Sequence, residues 1–101
     1  MPYRIELSPA AARQVKKLDR SVTQQIAAKI DSLADDPRPQ GCEKLAGYDG
    51  LFRVRVGDHR IIYAIRDELL LVIVVKVGSR TEIYQRMRDS DLDFVRKLLE
   101  S

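Results

Sequence analysis

Tryptophan is absent from this sequence, and cysteine and histidine occur once each, as Cys42 and His59. A single thiol excludes an intramolecular disulfide and any cysteine-based zinc cluster. With one histidine beside it, a dedicated transition-metal site has too few ligands. The aromatic residues are four Tyr and two Phe. The longest unbroken apolar run is Leu69–Val75, far short of the roughly 20 residues that cross a bilayer. The stretch Met1–Glu6 lacks the apolar core of a secretory signal. Also missing are a glycine-rich phosphate loop, a Ser-His-Asp pattern and a dinucleotide fingerprint. The expectation is a cytoplasmic protein with no metal, no cofactor and no membrane partner.

What is present suits one soluble domain. The chain has 101 residues, 45% of them hydrophobic and 33% charged, enough for one core and too short for two. Its formal net charge is +3, unevenly spread. Residues 89–101 set Arg96 and Lys97 against Asp89, Asp91, Asp93 and Glu100, a net −2, which leaves +5 on the rest. A basic body with an acidic tail suggests a polyanionic partner.

The residue pattern gives an order of elements. Tyr3–Leu7 alternates apolar and charged residues, the period of a half-buried strand. Ser8-Pro9 then offers an N-cap followed by proline at the first helical position. Ala11, Val15 and Leu18 form one helical stripe; Val22, Ile26, Ile30 and Leu33 form a second, after the break at Asp19-Arg20-Ser21. Pro37 ends the second helix, because proline disfavours helical geometry in the residue before it. Residues 36–50, rich in Pro, Gly and charge, read as a loop. Leu51–Val56, Arg60–Arg66 and Leu69–Val77 read as strands separated by Gly57-Asp58 and Asp67-Glu68, an antiparallel three-stranded meander. Leu69–Val77 is apolar on both parities until Lys76, as a central strand would be. Asp89–Leu99 reads as a final helix with Leu92, Val95 and Leu99 on one side. The class is α+β: an N-terminal strand, an αα-hairpin, the meander and a C-terminal helix. The pattern does not say which strand the first one joins.

Register arithmetic gives the sharpest functional clue. If Gly57-Asp58 is a two-residue turn, Val56 pairs with His59, Arg55 with Arg60 and Arg53 with Ile62. Arg53, Arg55 and Arg60 then share one face, while Phe52, Val54, Val56, Ile61, Tyr63 and Ile65 take the other. Directly opposed like charges destabilise a sheet, and such local conflicts mark functional sites. A phosphate would relieve this one, since guanidinium groups bind it through paired hydrogen bonds. Lys76, Arg80 and Tyr84 follow on the last strand and just beyond it. Arginines beside a tyrosine suit RNA, the former for phosphate and the latter for stacking on a base. The competing reading is a solvated cationic surface with Tyr84 in the core. His59 points away from Arg55 and Arg60 in this register and reads as a turn residue. Cys42 and Asp35-Asp36 carry no chemical pattern, and nothing in the spacing pairs Glu43 or Glu82 with a partner.

These residues resemble the RelE/ParE superfamily, the toxic halves of type II toxin–antitoxin pairs. The likeness runs from about Tyr3 to Tyr84. It rests on L-F-R-V-R-V-G-D-H-R-I-I-Y and V-G-S-R-T-E-I-Y, with S-P-A-A-A-R-Q-V-K-K-L, the D-D-P helix end and the loop K-L-A-G-Y-D-G-L. It implies a RelE-like toxin domain over 1–88, with 89–101 as the C-terminal helix of the same domain. For the RelE branch it implies a ribosome-dependent mRNA endonuclease that cuts A-site codons, with a RelB-like antitoxin, the ribosome and mRNA as partners and no small-molecule cofactor. The implied catalytic set is Arg53, Arg60, Arg80 and Tyr84, with Arg55, Lys44 and Lys76 binding RNA. Arg53 and Arg55 stand where the best-known member has lysines. The turn before Arg60 and the separation of Arg80 from Tyr84 are shorter than in that member. The alternatives are a ParE-type inhibitor of DNA gyrase, with the same fold and no nuclease activity, and a non-catalytic RNA-binding domain.

Overall fold

The computed structural model describes residues 2–45 and 50–79 and the single positions 93, 96 and 97. In chain order the elements are β1 (Arg4–Leu7), α1 (Pro9–Lys16), α2 (Arg20–Asp35), β2 (Glu43–Lys44), β3 (Leu51–Val56), β4 (His59–Arg66) and β5 (Leu71–Ser79). The strands form one mixed sheet in the order β1-β5-β4-β3-β2. The expected α+β architecture is present. β1 lies parallel to β5, Leu7 opposite Val74, and the two helices carry the chain from β1 at one edge of the sheet to β2 at the other.

The helices start and stop where the local chemistry dictates. Ser8 caps α1, its Oγ accepting from the Ala11 amide at 3.0 Å, with Pro9 at the first position. α2 runs to Asp35, two residues before Pro37. Both predicted stripes pack on the same face of the sheet. Ala11, Ile26, Ile30 and Leu33, with Val15, Leu18 and Val22 at the margin, meet Val54, Ile61, Tyr63, Val72, Val74 and Val77. The opposite face has its own buried cluster of Leu45, Leu51, Ile62, Ala64, Leu71, Ile73 and Val75. β5 is therefore apolar on both parities because it is buried on both faces.

Two expectations need correction. Residues 36–50 are not loop throughout: Glu43 and Lys44 pair with Arg53 and Phe52 and add a fifth strand at the edge. The last strand begins at Leu71 rather than Leu69, because the chain reverses between Arg66 and Leu71 through a short 3-10 turn over Asp67–Leu69. Leu70 closes that turn with φ +49° and donates to the Asp67 carbonyl at 3.1 Å. Leu69 and Leu70 are consequently exposed. The turn is tethered by Asp67, which accepts from Tyr3 Oη at 2.6 Å and from both terminal nitrogens of Arg38 at 3.1 and 2.9 Å. The Arg38 guanidinium lies 5.6 Å from the centre of the Phe52 ring. Tyr63 is fully buried and donates to the Pro37 carbonyl at 2.8 Å. Burial pushes its hydroxyl pKa well above the ordinary tyrosine range. Of the expected C-terminal helix, positions 93, 96 and 97 are helical and exposed. The rest of 89–101, and with it the boundary at 88, lies outside the described residues.

Candidate nucleic-acid interface

The β3–β4 hairpin has the register derived from the sequence. Val56 pairs with His59, Arg55 with Arg60, and Arg53 with Ile62. Gly57 adopts φ +58°, which lets a two-residue connection follow the strand twist. Arg53, Arg55 and Arg60 therefore share the face opposite the helices, while Val56 packs with the helix-side core. His59, across from Val56, belongs to the helix side.

Each arginine is fixed by a local acceptor. Arg53 makes a 2.5 Å ion pair with Glu43, its cross-strand neighbour on β2. Arg55 Nε donates to the Gly57 carbonyl at 3.1 Å. Arg60 donates to the His59 carbonyl at 3.3 Å. The hydrogen bond and charge of Arg53, with a smaller contribution from the Arg60 charge, hold the Glu43 carboxyl below its ordinary pKa. Glu43 is thus an anion paired with the first arginine of the face, and a phosphate approaching Arg53 would have to compete with it. Sequence reasoning missed this pairing because a two-residue strand has no period to read.

Lys76 joins the same face by an irregularity. β4 and β5 pair Tyr63 with Val74 but Ile62 with Lys76, leaving Val75 as an extra residue in β5. This β-bulge reverses the parity. Without it, Lys76 would follow Val72 and Val74 onto the helix side. With it, Lys76 lies across from Ile62, in line with Arg53. Lys44 is different. It pairs with Phe52 and so takes the opposite face from the arginines. Arg80 and Tyr84 lie outside the described residues. Among the described residues no group of three or more His, Cys, Asp or Glu side chains could hold a metal ion. No helix among them is long and apolar enough to cross a membrane.

The arrangement is a sheet face that carries three guanidinium groups on neighbouring strands, the chemistry that binds phosphate. Residues 5–84 match the family described as the ParE toxin of type II toxin-antitoxin system, parDE. That match covers most of the chain. The protein belongs to the RelE/ParE superfamily of type II toxins. Its relatives place it in the RelE branch. The toxin is 31% identical over 96 residues to a putative RelE-like toxin protein of Escherichia coli, covering 87% of this chain and 100% of the relative. It is 27% identical over 88 residues to the mRNA interferase toxin RelE of Escherichia coli K12, covering 83% of this chain and 92% of the relative. Its fold matches the toxin fold in the archaeal RelE–RelB complex from Pyrococcus horikoshii, with a TM-score of 0.71 at 24% identity over 81% of this chain and 99% of that one.

Proposed function

We propose that this toxin is a ribosome-dependent mRNA endoribonuclease, cutting codons in the A site and neutralised by a RelB-like antitoxin. The observation that carries the reading is the face formed by Arg53, Arg55 and Arg60, with Arg55 directly opposite Arg60. That placement is unfavourable in isolation and favourable beside a polyanion. Relatives named mRNA interferases and a solved RelE–RelB complex support the activity and the antitoxin. Its place of action is then the cytoplasm, where ribosomes are.

In this reading a ribose 2′-oxygen attacks the adjacent phosphorus and the 5′-oxygen leaves. The products are a 2′,3′-cyclic phosphate and a free 5′-hydroxyl. Negative charge grows on the phosphate oxygens; Arg53 and Arg60 stabilise it from the sheet, and Arg80 adds its charge. Arg55 and Lys76 hold the RNA backbone on the same face, and Lys44 holds it from the far side of the β2 edge. Tyr84 serves as base or as a stacking platform, and Arg80 as acid or charge stabiliser. Free Tyr and Arg titrate near 10 and above 12, so the ribosome's positioning of the codon supplies much of the rate. Arginine at 53 and 55 makes charge stabilisation the role there, since a guanidinium gives up its proton less readily than a lysine ammonium.

The ParE name of the matching family favours a second reading, inhibition of DNA gyrase. Primer extension on mRNA with and without ribosomes separates the two. Cuts inside reading frames that need ribosomes support the proposal. Intact mRNA with trapped gyrase–DNA complexes overturns it in favour of the second reading.

A further inference from the structure

β1 covers β5 only from Leu71 to Val74. Beyond Leu7 the chain turns into α1, while β5 continues to Ser79. The backbone groups on that side of β5 then have no strand to bond, yet Val75 and Val77 are fully buried, and buried backbone groups need partners. α1 provides them. Ser8 N donates to the Val74 carbonyl at 2.8 Å, and Ser8 Oγ donates to the Val75 carbonyl at 2.6 Å. Gln14 Oε1 accepts from the Val77 amide at 2.8 Å. Two side chains of one helix thus bracket the three residues Val75, Lys76 and Val77, the segment that contains the bulge.

We propose that Gln14, with Ser8, is a positioning residue for the cationic face, holding the bulge that puts Lys76 on the face of Arg60 and in line with Arg53. This rests on reading that face as RNA-binding. The alternative register explains why a bracket matters. Closing the bulge would pair Val75 with Ile62 and Lys76 with Ile61, which faces Val54 and belongs with Ile26 and Ile30 to the helix-side core. An ammonium group there meets an apolar core, while Val77 moves opposite Arg60. The Gln14 bond is made to the residue after Lys76, and Arg80 follows three residues later. Gln14 therefore acts on the backbone of the strand that carries Lys76, without touching RNA itself.

The test compares Gln14→Met, which keeps bulk and loses the acceptor, with Gln14→Glu, which keeps an acceptor oxygen. Amide exchange and nuclear Overhauser contacts read the geometry directly. In Gln14→Met the Val77 amide should lose protection and the Lys76–Ile62 contacts should weaken, with α2 and β3 unchanged; Gln14→Glu should retain both. Binding to ribosomes carrying mRNA reads the consequence. The slope of log K against log[salt] should shrink by about 0.7 in Gln14→Met, as in Lys76→Ala, one phosphate contact each. The double variant should shrink no further, whereas a general loss of stability would leave the slope unchanged. Unchanged Val77 exchange and Lys76–Ile62 contacts in Gln14→Met overturn the proposal whether or not the protein binds ribosomes. A wild-type slope in Gln14→Met, or additive slopes in the double variant, overturn it too. Absence of salt-dependent binding in the wild type would instead count against the RNA reading, and the exchange and contact data would still decide the bracket.

Discussion

Arg55 and Arg60 stand opposite each other on neighbouring strands. Their guanidinium groups turn to the Gly57 and His59 carbonyls. A carbonyl orients a guanidinium without cancelling its charge, so both keep their attraction for phosphate. Arg60→Ala should lower cleavage about 10²- to 10³-fold, the usual cost of removing one donor to a developing anion. Thermal melting should move little, because Arg60 is only half-buried and truncation leaves no sealed cavity. Primer extension with ribosomes and a melting curve check the two halves; cleavage at the wild-type rate sinks the assignment. Asp67 gives a second residue-scale prediction. Hydrogen bonds from Arg38 and then Tyr3 lower its pKa from 3.8 to about 2. A depressed carboxyl pKa stabilises the fold above the unfolded value and stops doing so as pH falls through the folded one. Asp67→Asn should therefore melt below the wild type at neutral pH, with the gap closing between about pH 4 and pH 2. The gap should be small, because both Asp67 and Arg38 are exposed.

At the scale of elements, α1 does more than cover the sheet. Ser8 caps the helix and also satisfies the Val75 carbonyl. Ser8→Ala removes a cap worth about 1 kcal/mol and orphans a buried carbonyl at a cost of about 1–3 kcal/mol. A combined loss of roughly 2–4 kcal/mol should appear as a lower urea midpoint at constant slope, and a loss under 1 kcal/mol would deny Ser8 the second role. Both helices, their stripes and the hairpin register were legible in the sequence, since each rests on a local rule: a cap, a proline, a two-residue turn or an apolar period. The unread features depend on partners distant in the chain. β2 is two residues long and is a strand only because β3 offers an edge. The parallel place of β1 beside β5 joins the first strand to the last, and no local rule fixes that pairing. The bulge at Val75 leaves no trace in a uniformly β-branched run; only the lysine after it hints that parity must change. The site was legible to the same extent. Arg53, Arg55 and Arg60 follow from register alone, whereas Glu43 and the facing of Lys44 and Lys76 required the sheet.

For the whole molecule, the charge distribution makes the most exacting prediction. The described fold has a radius of gyration of 12.5 Å and spans 34 × 31 × 23 Å. Those dimensions are a few times the Debye length of about 8 Å at physiological salt. Cations on one face therefore act together on a phosphate backbone, while those on the far side are mostly screened from it. Outside residues 89–101 the chain carries a formal +5, but the arginine-face cations contact one strand of RNA together, while Lys44 reaches it only from across the β2 edge. With about four phosphate contacts at about −0.7 each, log K for mRNA-bearing ribosomes should fall with log[salt] at a slope of roughly −3. Lys44 sharpens the test, because it faces away from the arginines across the β2 edge. Arg55→Ala should flatten the slope by about one contact, about 0.7. Lys44→Ala should flatten it less, although it removes the same formal charge. Equal changes in the two variants would mean that net charge alone drives binding and that the arginine face has no special part. A steeper loss in Arg55→Ala assigns the binding to that face, where the sheet fixes the spacing between guanidinium groups and hence the phosphates they can reach.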